Sequence, residues 1–471
     1  MVLSLVSLTA CLAKSGIADT REANLLAEKV VALVNSNEVD QLTKLALPEF
    51  FETIPRGVFP RLVAQVHGLG LLGKPVLSLD LGEERTYKVV AKSEGKPDFV
   101  LGLTLGAESK SRFFSLKISP WESANAPLTK LGSDNPLRTA IDRDIEASVQ
   151  DYLRKFHPVG LTIGLIWKGK TSVWNYGQSR PGKAPTANTV YEIGSITKTM
   201  TGYLLAKAVG DKRVSLDQDI RTLLPDKYDN LEFQGKPISF RDLITHSSGL
   251  PANPPGIPDD AGAEAYDRYT SEGLLSDLAT IRLTEKPGSR FSYSNMGGGL
   301  CGLLLARSYH RSFESLLNEQ LWSPLAMKHT GIALTTEMEG QYATPHDAKG
   351  EETDRWNVHG IEGAGAVRST MNDLLKYAMF NMKDSNPIVT MSHQVLNGDL
   401  YPKLGYFWLV GNSRLGGPYV HHEGGTGGFT ANVRVFTKRK MAVVVLMNSG
   451  DQRADEIANS IALRVLYHPK R

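Results

Sequence analysis

The chain has 471 residues, 41 % hydrophobic and 22 % charged, and a formal net charge of only +3. That length asks for more than one domain, and the composition is that of a globular protein with a sizeable core. So even a charge balance, with no long run of Lys and Arg, excludes the clustered cationic face that a nucleic-acid partner needs.

Residues 1–18 read as a targeting segment. Val2 to Ala10 are apolar or small, and Cys11 follows them. The apolar run is too short to span a bilayer. Leu8-Thr9-Ala10-Cys11 resembles a bacterial lipobox, although no Lys or Arg precedes the run. The resemblance implies export, a lipidated Cys11 and a periplasmic or membrane-tethered protein. The plain alternative is a frayed N-terminus on a cytoplasmic one. The other cysteine, Cys301, lies far away in an apolar stretch, so no structural disulfide is expected. There is no close cysteine pair and no His-Glu-x-x-His, so neither a metal nor another cofactor is expected.

Residues 19–118 form a first module. Leu25, Leu26, Val30, Val31 and Val34 recur at helical spacing, and a second short helix fits Val39 to Phe51. Alternating stretches at Val76–Leu81, Tyr87–Val90, Phe99–Leu103 and Phe113–Ile118 read as antiparallel strands. Helices followed by strands make a small α+β unit. It is similar to the cystatin-like or NTF2-like modules that precede some secreted hydrolases, and it carries no catalytic residues. Residues 119–140, rich in Pro, Gly, Asn and Ser, read as a linker.

Residues 141–471 make the second domain. A helix is expected over Arg138–Phe156, running into it from the linker. Gly160–Trp167 and Thr171–Tyr176 flank Lys168-Gly169-Lys170 as a hairpin. Met441–Met447 reads as a buried strand and Ala454–Leu466 as a closing helix. The two ends of the domain would then meet in one sheet, with helices filling the middle of the chain.

Three pieces carry chemistry. The first is Gly194-Ser195-Ile196-Thr197-Lys198, running into a helix. A serine hydroxyl is a weak nucleophile that needs a base in reach, and residues i and i+3 share a helix face. The helix start adds unpaired N–H groups that favour an oxyanion. Alone, Ser-x-x-Lys is equally a capping serine with a solvated lysine. The second piece is Tyr293-Ser294-Asn295 on a loop, where Tyr293 could move a proton and Asn295 could hold Lys198 and the substrate. The default for a lone Tyr is simple packing. The third is His421-His422-Glu423-Gly424-Gly425-Thr426-Gly427-Gly428. Glycines at an edge strand admit a substrate backbone, and the Gly425 N–H could complete an oxyanion hole with that of Ser195. A phosphate loop would want Gly-Lys-Ser or Gly-Lys-Thr before a helix, and neither is present.

Ser-x-x-Lys, Tyr-x-Asn and His-x-Gly, in that order, resemble the serine β-lactamase-related superfamily, nearest its class C β-lactamase, esterase and D-aminopeptidase branch. Arg241-Asp-Leu-Ile-Thr-His-Ser-Ser-Gly-Leu-Pro251, Trp322–Met327 and Gly363–Val367 fit the same branch. The resemblance covers roughly residues 145–471. It implies a β-lactamase/transpeptidase-like domain, an antiparallel sheet flanked by helices with an all-helical region. It also implies that Ser195 is acylated, Lys198 and Tyr293 move its proton, Asn295 positions Lys198 and substrate, and the Ser195 and Gly425 backbones hold the oxyanion. Tyr293 would then activate the deacylating water.

The third motif departs from the Lys-Thr-Gly of true β-lactamases. His422 is charged only part of the time at neutral pH, and Glu423 brings negative charge where a hydroxyl would be. With Gly424 they form the expected substrate-binding strand, and both changes weaken recognition of a carboxylate. An ester, or a peptide with a free amine such as a D-amino-acid peptide, fits better, and poor β-lactam turnover is expected. A β-lactamase or penicillin-binding DD-peptidase is the second reading. A non-catalytic binding or sensor protein of the same fold is the third, opposed by the intact Ser195, Lys198, Tyr293 and Asn295. The expected partner is a small-molecule or peptide substrate, with walls drawn from segments such as 251–285 and 334–360. The sequence is silent on oligomeric state.

Overall fold

The computed structural model describes residues 20–45, short helical and strand segments between 59 and 120, and residues 131–467 apart from 414. The expected targeting segment and Cys11 lie outside the described residues. The chain forms two compact units. One is Met1–Pro127 with the short segments Asn412–Gly417 and Leu466–Arg471; the other comprises Leu128–Gly411 and Pro418–Val465.

In the first unit, helices α1 (Thr20–Asn35) and α2 (Val39–Leu45) are followed by strands β1 (Leu71–Leu72), β2 (Val76–Asp80), β3 (Glu84–Lys92), β4 (Phe99–Gly106) and β5 (Phe113–Pro120). α1 buries Leu26, Ala27, Val30, Val31 and Val34, the stripe its spacing calls for. The Asn35 side chain closes a two-bond clasp on the backbone of Leu72. The strands pair antiparallel in the order β1-β3-β4-β5, with β2 also on β3. α2 stops at Leu45, short of the expected Phe51; residues 46–58 are outside the described set.

The second unit begins before its first helix. Gly177 N–H donates to Gly132 O, Asp134 N–H to Asn175 O, and Asn175 N–H to the Asp134 carboxylate. The latter half of the expected linker is therefore an extended segment clamped to a strand, because Asp134 and Ser133 find backbone partners there. Helix α3 (Ala140–Leu153) is capped by Thr139 in a capping box with Asp142. Strands β6 (Gly160–Trp167) and β7 (Lys170–Gly177) form the hairpin, turned by Lys168 at φ +51° and Gly169 at φ +75°, the two positive angles of a tight two-residue turn.

β8 (Val190–Glu192) leads through Ile193, Gly194 and Ser195 into α4 (Ile196–Gly210). Every residue of α4 from Ile196 to Ala206 is buried, which makes it the central helix of the core. α5 (Phe240–Ile244) packs on α6 (Asn295–Tyr309), and α6 and α7 (Glu362–Gly365) pack against α4 with further short helices. β9 (Arg368–Thr370) pairs with β8, and α8 (Met371–Asn381) packs on the sheet. β10 (Leu409–Ser413), β11 (Gly417–Gly425), β12 (Thr430–Phe436), β13 (Met441–Met447) and α9 (Ala454–Tyr467) close the chain. The main sheet runs β10-β11-β12-β13-β6-β7. β13 sits between β12 and β6 and is buried along its whole length, as its unbroken apolar run requires.

Candidate active site

Ser195 stands where β8 turns into α4. The turn is made by Gly194 at φ +48°, and a Cβ there would lie 2.6 Å from the Gly425 nitrogen. A Cβ on Gly424 would lie 1.9 Å from the Ile193 carbonyl oxygen. Two glycines thus let the end of β11 lie flush against the nucleophile's own backbone. Ser195 occupies the N-cap position of α4, yet its side chain caps nothing. The capping alternative for Ser-x-x-Lys is thereby removed.

Lys198 is fully buried one turn on. Its Nζ lies 2.9 Å from Ser195 Oγ, 2.8 Å from Asn295 Oδ1 and 2.7 Å from Ala364 O. Burial holds the amine well below the usual lysine range. A neutral amine has two N–H donors and one lone pair. The carbonyl of Ala364 and the amide oxygen of Asn295 can only accept, so both donors are committed to them. Asn295 Nδ2 donates to Asn253 Oδ1 at 2.8 Å, which fixes the orientation of the amide. The lone pair is left for the Ser195 hydroxyl, the arrangement of a general base.

Tyr293 comes from the loop before α6 and donates its O–H to Ser195 Oγ at 2.7 Å. Its ring keeps 37 % of its surface open to the cleft, while desolvation at the hydroxyl end pushes the phenol up, with Glu423 adding to the effect. Asn295 proves to be the first residue of α6 rather than a loop residue, because Ser294 caps that helix through the Gly297 N–H.

β11 is second in the sheet and not its edge, since Leu409–Ser413 adds the short strand β10 beside it. Pairing in a hairpin starts at the turn, so the five residues of β10 cannot reach the last four of the nine-residue β11. Thr426 N–H donates to Phe429 O, and Gly425 stands opposite Thr430. By antiparallel alternation Gly425 is then a non-hydrogen-bonded position, and its N–H points away from β12. That N–H faces the uncovered side beside Gly194 and Ser195, the geometry an oxyanion hole needs.

His422 and Glu423 fall on opposite faces of β11. His422 is buried and lines the cleft. Its Nδ1 is bonded to the Glu423 carbonyl, which can only accept, so Nδ1 carries the proton and Nε2 presents a lone pair. Burial, then the nearness of Lys198, pushes the imidazole down to about 4. Glu423 lies exposed at the strand end, and its carboxyl meets that of Asp455 behind the strand. Although the residue as a whole is exposed, desolvation of the carboxyl where it meets Asp455 holds it well above the usual carboxylate range.

The cleft has a volume of about 540 Å³. Beyond the expected residues its walls include His246, Phe291, Leu404, Leu409, Gln452 and Arg453, and none comes from 251–285 or 334–360. Those segments serve from behind, as Asn253 does for Asn295. The sequence also left two supports unnamed. Ala364 O, a backbone atom, has no signature in sequence. Glu192 is buried, accepts from the Tyr342 hydroxyl and the Trp356 N–H, and is held above its usual range by burial. A larger groove of about 1340 Å³ opens elsewhere among Arg213, Arg307 and Arg311, but Ser195 is not in it.

Known proteins resemble the chain over most of its length. The chain is 27 % identical over 369 residues to a Pseudomonas fluorescens β-lactamase, across 69 % of this chain and 98 % of that one. It is 25 % identical over 349 residues to the protein flp of Staphylococcus aureus (strain MW2), across 70 % of this chain and 67 % of that one. A solved β-lactamase/D-alanine carboxypeptidase from Pseudomonas syringae shares the fold, with a TM-score of 0.61 at 21 % identity over 71 % of this chain and 100 % of its own. So does an octameric penicillin-binding protein homologue from Pyrococcus abyssi, with a TM-score of 0.60 at 23 % identity over 70 % of this chain and 77 % of its own. The family model described as Beta-lactamase matches residues 145–466, a span that holds every residue of the cleft, and the chain belongs to that family.

Proposed function

We propose that this serine hydrolase acts through an acyl-enzyme on esters or amides, D-amino-acid peptides among them, that present a neutral group or a hydrogen-bond donor, not a carboxylate, to His422. The observation that carries the reading is the His422 tautomer. Its Nδ1–H is spent on the Glu423 carbonyl, so the ring offers the cleft a lone pair where a Lys would offer a cation.

In the first half-reaction Ser195 Oγ attacks the carbonyl carbon and its proton passes to Lys198 Nζ. The Ser195 and Gly425 N–H groups receive the oxyanion. As the tetrahedral intermediate collapses, Tyr293 gives its proton to the leaving oxygen or nitrogen. The phenolate left behind is balanced by the new ammonium of Lys198, which lies 4.8 Å from the ring centroid. That pairing lets a phenol with a high resting pKa ionise within the step. In the second half-reaction the phenolate takes a proton from water, the hydroxide attacks the acyl carbon, and Ser195 Oγ recovers its proton from Lys198. Both residues end as they began.

The test is intact mass spectrometry after rapid quench with a slow ester, run beside Ser195→Ala. An acyl adduct on the wild type alone is expected. Kinetics on a matched pair, one ester with a free carboxylate and its primary amide, complete it. Preference for the carboxylate form, or a stable penicillin adduct, would sink the specificity half of the reading.

Export with a lipid anchor is a separate proposal, resting on Leu8-Thr9-Ala10-Cys11. Expression in a bacterial host should give a membrane-bound, lipid-modified form that Cys11→Ser abolishes. Wild-type protein that stays unmodified and cytosolic counts against it.

A further inference from the structure

His246 stands just past Thr245, the C-cap of α5, and is 1 % exposed. Its backbone has φ +51°, the left-handed region that a non-glycine residue occupies only where its surroundings enforce it. What enforces it is the tyrosine loop. The Ser292 N–H donates to His246 O at 2.7 Å, and the Ser294 N–H donates to His246 Nδ1 at 3.1 Å. Between those two bonds the imidazole lies on the Tyr293 ring, 4.4 Å between centroids and 35° between planes. Phe291 meets the imidazole edge-on and Phe407 closes the other side. One side chain and one carbonyl therefore grip three consecutive residues, with the middle one donating to Ser195 Oγ.

Because Nδ1 accepts, the proton sits on Nε2, which is buried without a partner among the described residues. Only the neutral ring fits: a second proton would set an N–H against the Ser294 N–H. Burial is the main obstacle to a charge there, and the basic groups that face it, Lys198 from α4 and His422 from β11, add to it whenever they carry a proton.

We infer that His246 is a positioning residue for proton donation by Tyr293, setting the phenol against the leaving group through its hold on Ser292, Tyr293 and Ser294. The inference rests on Tyr293 acting as the leaving-group acid, as proposed above. A fault in its aim should then matter in proportion to the leaving group's need for a proton. A 4-nitrophenolate departs unaided, while an alkoxide requires the acid.

The experiment compares kcat/KM, which reports the acylation half-reaction alone, for a 4-nitrophenyl ester and an alkyl ester of one acid in the wild type, His246→Phe, His246→Asn and Tyr293→Phe. His246→Phe keeps a flat ring on Tyr293 and loses the acceptor. It should lower kcat/KM for the alkyl ester by roughly 10²-fold with far less effect on the nitrophenyl ester, since that ratio reports acylation and not the deacylation the two esters share. His246→Asn restores an acceptor near the Nδ1 position and tolerates the left-handed backbone. It should recover part of the alkyl-ester rate, and it keeps the test open if the Phe variant folds poorly. If both His246 variants lose the two activities equally while Tyr293→Phe discriminates between them, the inference is overturned. A Tyr293→Phe enzyme that fails to discriminate overturns the acid role of Tyr293 and the inference with it.

Discussion

At the scale of single residues the site turns on which groups hold their protons. Lys198 is useful because burial favours its neutral form, in which both N–H bonds are committed and the lone pair is aimed at Ser195. Lys198→Ala should lower kcat by about 10²–10⁴-fold while leaving KM nearly unchanged. Lys198→Arg should not rescue it, since a guanidinium keeps its charge and has no lone pair to offer. Pre-steady-state acylation rates check both. His422 is the second such residue. Replacing its lone pair by a cation in His422→Lys should tighten binding of carboxylate-bearing β-lactams and weaken binding of amine-bearing substrates. For the wild type, a carboxylate inhibitor should bind better as pH falls towards about 4, where His422 gains its proton. Inhibition constants measured from pH 7 down to pH 4 test this, and a flat profile would count against the assigned tautomer.

At the scale of elements, the end of β11 must lie against the β8–α4 turn for the oxyanion donors to converge. Its two glycines should behave differently. A methyl on Gly424 would be driven into the Ile193 carbonyl, whereas one on Gly425 meets nothing nearer than the Phe429 oxygen at 3.9 Å. Gly424→Ala should therefore cost about 3 kcal/mol of stability or displace the strand with loss of activity. Gly425→Ala should melt like the wild type and change substrate preference instead. Thermal melts beside kcat/KM for the two variants give the answer, and equal destabilisation would refute the contrast. The linker shows how local sequence misleads at this scale. Residues 131–139 have the Pro, Gly and Asn of a loop, yet Asp134 and Gly132 are bonded to β7. Turn formers report only that a segment does not build its own ladder.

At the scale of the whole molecule, the buried titratable groups set how stability answers to pH. His246, His393, His421 and His422 all have folded pKa values below their unfolded ones, down to about 4 for His393 and His422. Such a group contributes stability that is whole above the unfolded value near 6.5 and is lost as pH falls towards the folded value. Each costs roughly 1 kcal/mol per pH unit through that window. Glu192 and Glu423 are raised by burial and act in the opposite sense, but they are two against four histidines and Lys198. The melting temperature should therefore fall between pH 7 and pH 5. A melting temperature that rises over that range would show that the raised carboxyls of Glu192 and Glu423 dominate.

Ser195, Lys198, Tyr293, Asn295 and the glycine strand, which the fold brings together, were all picked out in the sequence. Each depends on short-range spacing that a helix or strand converts directly into a shared face: Ser195 and Lys198 one turn apart, His422 and Gly424 two residues apart. The hairpin at Lys168-Gly169 and the buried strand Met441–Met447 were legible for the same reason. The tertiary structure alone decided what those groups are as acids and bases. Lys198 is driven towards its neutral form because the fold places it in a dry core where desolvation opposes its charge, while the Ala364 carbonyl, 166 residues away, only accepts one of its N–H bonds and so orients it. His422 is an acceptor because a strand carbonyl claims its other nitrogen. His246 grips the tyrosine loop because two segments some 46–48 residues apart are folded against each other. Protonation and tautomer follow from burial and from long-range partners, and neither is written in local spacing.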